Sequence, residues 1–340
     1  MTRTERSDPD GGARRWVVVL AGGAGRRLEA MTTDARGSRG PKQYCALRGE
    51  RSLLQMALAR AERLVPGDRI VVVVQRDHRS WWSRELADLP SSNVLVQPAD
   101  RGTGVGLHLA LFSIAKRDPG AVIAALPADH YMAREDLFAR GVETAFGEVE
   151  RTPEVLVLLA VAGERPDPSL GWIVPGAPDR DAVLLPVEEF HEKPSPERAR
   201  GLLERGALVN CFVPVAGLGA FQRLLEGAPS GALLRPLFAD AAPDAARLAA
   251  AFERMPRLDL SADVFASRAD RLAVLPLPGV GWSDLGTPAG VRRCLGRDRV
   301  PRLPARHGVR APVDLSRPRP AMPGVPTFGT PDLARYTEML

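Results

Sequence analysis

Along the first 150 residues the spacing of apolar positions switches repeatedly between a strand-like run and a helical stripe. Val17–Ala21 is a short β-branched run ending in a glycine loop, which reads as a buried strand. Between Ser52 and Val65, the residues Leu53, Leu54, Met56, Ala57, Leu58, Ala61 and Leu64 mark one face of a helix. Ile70–Val74 predicts a second strand, Trp81–Leu89 a helix, Val94–Gln97 a third strand, and Gly104–Lys116 a helix. Ala121–Leu126 and Asp136–Glu148 complete the series as strand and helix. Strands that are apolar throughout and alternate with helices indicate a parallel sheet covered on both faces.

The second half is less regular. Val155–Val161, Trp172–Val174, Val183–Leu185 and Val187–His191 predict strands. Ser195-Pro196-Glu197 opens a helix, with Ser as cap and Pro in the first turn. Leu208–Val213 returns to strand, helices run from Leu218 to Arg254, and a last strand, Leu272–Leu275, leads into Gly281–Gly286. The expected fold class is therefore α/β: a Rossmann-like, doubly wound, mostly parallel sheet with a smaller β-rich part. Residues 1–15 are polar with nothing to bury and are expected to be disordered. Residues 301–340 hold eight prolines and six arginines, so 298–340 is expected to be a Pro/Arg-rich tail and 16–297 the folded domain. In such a sheet, ligands bind beyond the carboxyl ends of the strands, which points to the loops after Ala21, Gln97 and Leu126.

Composition narrows the functional classes. The longest apolar run, Val155–Ala162, falls far short of the ~20 residues a membrane helix needs. Val17–Ala21 runs directly into a glycine loop and is no secretory core of about 7–15 apolar residues. A cytoplasmic protein without a membrane partner is expected. Cys45, Cys211 and Cys294 form no C-x-x-C pair, and the five histidines show no ligand spacing. These argue against a disulfide framework and a structural zinc, and leave a hard ion on carboxylates as the expected metal. The net charge of +5 sits mostly at the two ends, +1 in residues 1–16 and +3 in 301–340. The remaining body is nearly neutral and offers no basic stripe for nucleic acid. Of 46 basic residues only Lys42, Lys116 and Lys193 are lysines. Lys116 closes a helix, but Lys42 and Lys193 each adjoin proline in a loop, where a compact ammonium differs from a guanidinium.

The first loop, Leu20-Ala21-Gly22-Gly23-Ala24-Gly25-Arg26-Arg27-Leu28, suits polyphosphate, because glycines let backbone N–H groups approach and Arg forks onto phosphate oxygens. It is neither a dinucleotide fingerprint, since Leu28 replaces the third glycine, nor a Walker loop. Gly40-Pro41-Lys42-Gln43 adds a second positive point. Gln97, Gly102 and Thr103, leading into a helix N-terminus, suit a base or ribose. Asp129, at the end of a strand, suits Mg²⁺, which takes one or two carboxylates plus substrate phosphates.

Together these residues resemble the sugar-nucleotide pyrophosphorylases, and most closely the mannose-1-phosphate guanylyltransferases, over residues 16–295. The resemblance rests on L-A-G-G-x-G-x-R-L at 20–28, P-K-Q at 41–43, Q-P-x-x-R-G-T at 97–103 and P-A-D-H at 127–130. It continues in Gly171-Trp172-Ile173, Phe190-His191-Glu192-Lys193-Pro194 and Gly281-Trp282-Ser283-Asp284-Leu285-Gly286. It implies that Arg27 and the backbone of Leu20, Ala21, Gly22, Gly23 and Gly25 bind the triphosphate, and that Lys42 contacts phosphate at the reacting centre. Gln97, Gly102 and Thr103 would then hold base and ribose, and Asp129 and Asp284 the Mg²⁺. Gly171, Glu192 and Asn210 would line the sugar, with Lys193 on its phosphate and the β-rich part as the sugar-binding part. The partners implied are a nucleoside triphosphate, expected to be GTP, and a sugar 1-phosphate, expected to be mannose 1-phosphate; a homo-oligomer stays open.

Departures fall around the base and sugar. Arg26 stands where the family often has Thr or Ser, Asp100 where Asn is commoner, and Gly104-Val105 where Ala-Pro is common. Val209-Asn210-Cys211-Phe212 keeps only the Asn of the family's W-N-S-G. The Pro-rich stretch stands where bifunctional members carry an isomerase domain. The alternatives are another nucleotide and sugar pair, or a non-catalytic subunit that senses a nucleotide sugar. A cytidylyltransferase of isoprenoid synthesis and a D-x-D glycosyltransferase fit less well. Trp81, Trp82, His108 and Cys211 read as packing residues, and His130 as a hydrogen-bonded histidine.

Overall fold

The computed structural model describes residues 14–23, 40–46, 51–177, 182–239, 243–287, 290, 291 and 294. The first half alternates as the apolar pattern predicts: β1 (Arg15–Ala21), α1 (Leu53–Ala61), β2 (Ile70–Gln75), α2 (Arg79–Glu85), β3 (Val94–Gln97), α3 (Thr103–Arg117) and β4 (Val122–Pro127). A two-residue strand, β5 (Tyr131–Met132), and α4 (Glu135–Arg151) follow. The second half contains β6 (Leu156–Ala162), β7 (Gly171–Pro175), β8 (Leu185–Glu192), α5 (Pro196–Glu204), β9 (Leu208–Gly217), α6 (Leu218–Leu224) and α7 (Pro229–Leu234). It closes with α8 (Ala245–Arg254), a π-helix at Leu260–Phe265, β10 (Leu272–Pro276) and β11 (Trp282–Ser283).

Local chemistry explains several boundaries. Ser52 and Gln55 form a reciprocal capping box at the start of α1, each accepting a backbone N–H at 3.0 Å. That helix ends at Ala61, short of the expected Val65, because the N–H groups of Leu64 and Val65 both turn onto the Ala61 carbonyl before Pro66. α5 is capped by Ser195 with Pro196 at its first position, as the sequence predicts.

Nine strands form one sheet in the order β3-β2-β1-β4-β9-β6-β10-β8-β7, and β7 also pairs back onto β9. Only β8 and β9 run against the other strands, so the sheet is mostly parallel. Side chains of β1 alternate between its two faces. Val17, Val19 and Ala21 pack with α1 and α4, while Trp16 and Val18 pack with α3 and α6. This is the doubly wound architecture. The β7–β8 hairpin, held between β9 and β10, is the smaller β-rich part.

Two strand expectations need correction, and both errors sit at proline. In place of separate strands 183–185 and 187–191 there is the single β8, which begins only at Leu185 and has Pro186 inside it opposite Ala273. The strand ending at Val213 continues through Pro214, opposite Leu158, to Gly217. Among the described residues, no helix is long and apolar enough to cross a membrane.

Candidate active site

A cleft of about 370 Å³ opens over the carboxyl ends of β1, β3 and β4 and reaches the β7–β8 hairpin. Its floor is the glycine turn after β1. Gln43, 2% exposed, donates from Nε2 to the carbonyls of Ala21 at 2.9 Å and Gly23 at 2.8 Å, fixing that turn. Leu20, Gly22 and Gly23 line the cleft, whereas Ala21 is buried and does not, its carbonyl being held by Gln43. A Cβ on Gly22 would fall 2.6 Å from Gln97 Nε2, so glycine is what allows the two segments to approach. Gly25 and Arg27 lie outside the described residues.

Lys42 joins three of the sequence motifs. Its side chain is 8% exposed, and its ammonium lies 3.0 Å from Asp129 Oδ2 and 2.6 Å from the Asp284 carbonyl oxygen. Burial pushes the Asp129 carboxyl up, but Lys42 and then His130 outweigh it and hold the group below its ordinary range. Asp284 is oriented by the Gly286 N–H, which donates to Oδ1 at 2.9 Å. A Cβ on Gly286 would stand 2.1 Å from Asp284 Oδ2, so only glycine fits there.

The two carboxylates come from distant segments clasped by a small second sheet. β5 pairs with β11 in the register Tyr131↔Ser283 and Met132↔Trp282, and Ala133 and Arg134 donate to the Val280 carbonyl. Trp282 Nε1 donates to His130 Nδ1 at 3.2 Å, which assigns the imidazole proton to Nε2, the nitrogen 3.8 Å from Asp129 Oδ1. Burial keeps His130 below the ordinary imidazole value. Among the described residues, no cluster of three or more His, Cys, Asp or Glu could hold a metal. Asp129 and Asp284 both line the cleft, and a donor set of two carboxylates suits Mg²⁺ rather than zinc.

At the far end, β7 and β8 supply Gly171, Glu192 and Lys193. Lys193 has φ 46°, its N–H donates to the Leu170 carbonyl at 3.1 Å, and its ammonium pairs with Glu192. A Cβ on Gly171 would lie 2.7 Å from Glu192 Oε2. Asn210, 6% exposed, lines the same wall, but its Oδ1 already accepts the Phe212 N–H at 3.0 Å.

The loop after β3 brings Gln97, Gly102 and Thr103 to the cleft. Gln97 is 4% exposed and its Oε1 has no hydrogen-bond partner. Thr103 Oγ1 is engaged internally, accepting the Leu260 N–H at 3.0 Å. The segment before the π-helix was not legible as part of the site. Leu258 exchanges backbone hydrogen bonds with Arg101 and Gly104 at 2.9 Å, and Arg257 pairs with Asp100 at 3.0 Å. Arg257, Asp259 and Ser261 thereby enter the cleft wall, although no spacing or motif marks them.

The packing readings hold. Trp81 and Trp82 lie half-buried on the core, Cys211 is fully buried, and His108 is buried on α3 with Nδ1 2.9 Å from Ser230 Oγ.

Comparison with known proteins agrees with this geometry. A nucleotidyl transferase family model matches residues 16–293. A mannose-1-phosphate guanylyltransferase of Escherichia coli K12 is 29% identical over 201 residues, 57% of this chain and 41% of the relative. The xanthan biosynthesis protein XanB of Xanthomonas campestris is 28% identical over 285 residues, 79% of this chain and 57% of the relative. The chain thus spans about half the length of these relatives or less. A Thermus thermophilus structure described as a mannose-1-phosphate geranyltransferase superposes with a TM-score of 0.72 at 23% identity, covering 84% of this chain and 80% of that one. A UDP-glucose pyrophosphorylase solved with UDP-glucose superposes with a TM-score of 0.55 at 14% identity, covering 83% and 97%. At these identities the structures establish the shared fold.

Proposed function

The chain belongs to the nucleotidyl transferase family, and from that premise we propose that it transfers a nucleotidyl group from GTP to mannose 1-phosphate, releasing pyrophosphate and giving GDP-mannose. The observation that carries this reading is the buried ammonium of Lys42, which gathers the P-K-Q, P-A-D-H and W-S-D-L-G segments at one point beside Asp129 and Asp284, which line the cleft. The curated relatives named for mannose-1-phosphate guanylyl transfer support the choice of substrates.

The attacking group is a phosphate, already largely anionic at neutral pH because its second pKa is about 6. The reaction therefore needs no side-chain base. What opposes it is repulsion between two anions, and the chain answers with positioning and positive charge. Holding both substrates in line supplies about 7–11 kcal/mol of the barrier reduction in favourable cases. Lys42 and Lys193 come from separate segments, Lys42 being assigned to the transferred phosphoryl and Lys193 to the sugar phosphate. Arg27 is assigned to the triphosphate by its motif. Gln97 and Gly102 hold the base and ribose end, with Thr103 supporting the loop through Leu260. Gly171, Glu192 and Asn210 hold the sugar. Asp129 and Asp284 would hold Mg²⁺, which when bound supplies further positive charge beside the phosphates.

The test is pyrophosphate release with Mg²⁺ across GTP, ATP, UTP, CTP and dTTP, each offered with mannose, glucose, N-acetylglucosamine and fucose 1-phosphates. Strong release with GTP and mannose 1-phosphate is the expected result. Another strong pair moves the specificity but keeps the reaction. Silence from the folded protein refutes catalysis and favours a nucleotide-sugar sensor.

A further inference from the structure

β9 is buried from Leu208 to Cys211 and again from Val213 to Ala216, and Phe212 is the one half-buried position between them. The β6–β9 ladder shows why. Leu159 pairs with Val213 while the next residue, Ala160, pairs with Asn210, so Cys211 and Phe212 have no residues opposite them. This is a bulge of two residues, a device that re-aims side chains beside functional sites. It falls where β9 changes its other neighbour, from β4 at Val215–Gly217 to β7 at Leu208–Val209. Asn210 closes the bulge through its bond to the Phe212 N–H. Phe212 takes φ 56°, a left-handed conformation that is rare for a bulky residue and unstrained for glycine.

The bulge sends Cys211 inward, fully buried, and places Phe212 in the cleft wall together with Asn210, Gly171 and Glu192. A large aromatic ring in a strained backbone, on the wall assigned to the sugar, is an outlier from which function can be argued. We propose that Phe212 is a specificity-determining residue: its ring is a steric wall of the sugar subsite that admits a plain hexose 1-phosphate and refuses the acetamido-substituted counterpart. This rests on the reading of that wall as the sugar subsite. Two features make the refusal effective. The ring takes up part of the wall beside Gly171 and Glu192, and Asn210 Oδ1, which already accepts the Phe212 N–H, keeps one lone pair rather than two for a sugar substituent. A polar substituent brought against an aromatic ring loses water without gaining a partner, which disfavours its binding.

The experiment compares matched substrates that differ only in the acetamido group: mannose against N-acetylmannosamine 1-phosphate, and glucose against N-acetylglucosamine 1-phosphate. Wild type, Phe212→Gly and Phe212→Ala are assayed by kcat/KM for pyrophosphate release and by calorimetric titration of each sugar phosphate. The glycine variant relieves the left-handed backbone, and its thermal melt verifies the fold. The expected result is a shift of about 10–100-fold in the hexose-to-acetamido ratio toward the acetamido sugars, in both readouts. An unchanged ratio in both variants overturns the proposal. Should wild type release no pyrophosphate with any pair, the catalytic reading fails and the titrations still decide the role of Phe212. A shifted binding ratio supports it; an unchanged ratio, or no binding by wild type and variants alike, overturns it.

Discussion

Replacing Lys42 with Met removes the charge at the centre of the site while keeping most of the side-chain volume. The ammonium lies 3.0 Å from Asp129 Oδ2, with side-chain exposures of 8% and 32%. At an effective dielectric of about 20, such a pair attracts by roughly 5 kcal/mol, most of which offsets desolvation. Breaking a fully buried pair costs about 3–5 kcal/mol; with Asp129 partly open to water, about 2–3 kcal/mol is expected. The pH dependence separates this cause from simple loss of packing. In wild type, Lys42 and His130 overcome burial and hold the Asp129 carboxyl below its ordinary value. A depressed carboxyl contributes stability above its unfolded pKa of about 3.9 and loses it as pH falls through the folded value. Without Lys42, burial dominates, the carboxyl moves up, and protonation relieves the variant. The stability gap between the two proteins should therefore be widest near neutral pH and narrow on acidification. Urea unfolding in the presence of EDTA, at about pH 7 and about pH 4.5, measures it. Loss of one preorganised cation should also lower kcat about 10²–10³-fold. A gap equal at both pH values, or a variant within a few-fold of wild-type turnover, refutes the reasoning.

Gly171→Ala places a Cβ 2.7 Å from Glu192 Oε2 and must displace that carboxylate; KM for the sugar phosphate should rise about tenfold with a smaller change in kcat, as uniform binding is lost. Arg60, with a side chain 1% exposed, forks onto Glu135 at 2.7 and 2.8 Å, so Arg60→Met should lower stability by about 2–4 kcal/mol in urea unfolding. Burial, and then Arg235, lower the His108 pKa to about 4. The unfolded state therefore binds the proton first, and stability present above about pH 6.5 should fall by about 3 kcal/mol on acidification to about pH 4. His108→Gln should flatten that part of the pH–stability curve. EDTA should abolish pyrophosphate release and added Mg²⁺ restore it; release that persists in excess chelator would remove the metal role from Asp129 and Asp284.

The buried strands were the most legible part of the fold, because a strand covered on both faces must be apolar throughout. Ile70–Val74 falls within β2, whose six residues are all buried. Proline misled where a strand passes through it. Pro186 is tolerated because β8 pairs with β10 over only two residues, and its carbonyl still accepts the Gly176 N–H at 2.9 Å. Pro214 sits just beyond the bulge. The glycine loop, Lys42, Lys193 and Asp129 were legible because such residues in loops answer to phosphate chemistry, whereas Asp284, Gly171, Glu192 and Asn210 came only from the family resemblance. The residues that brace them were not legible. β5 and β11 are two residues each, too short for any period, and their pairing is set by tertiary contact. Arg257 and Asp259 lie in polar punctuation between a helix and a π-helix and Ser261 in the first turn of the latter, and only the backbone bonds of Leu258 show how this segment reaches the cleft.

One feature of the cleft has no sequence signature at all. Among the described residues, Lys193, Phe212 and Leu285 are the non-glycine positions with positive φ, at 46°, 56° and 48°. They come from three separate segments and meet at one site: Lys193 and Phe212 line the cleft, and the Leu285 carbonyl lies 3.4 Å from Lys42 Nζ. Each such residue carries about 1–3 kcal/mol of strain and persists only where its surroundings over-determine it. The surroundings are visible in each case. The Lys193 N–H is held by the Leu170 carbonyl, the Phe212 N–H by Asn210 Oδ1 and the Leu285 N–H by Ser283 Oγ, at 3.1, 3.0 and 3.2 Å. Leu285 is also anchored in a small apolar cluster with Leu53, Tyr131 and Val291. A stable sheet thus keeps three residues in backbone conformations that their own types disfavour, and so fixes where a cation, a ring and the backbone behind Asp284 stand before substrate arrives. That is the preorganisation the proposed reaction between two anions requires, where positioning and fixed charge take the place of an acid or a base.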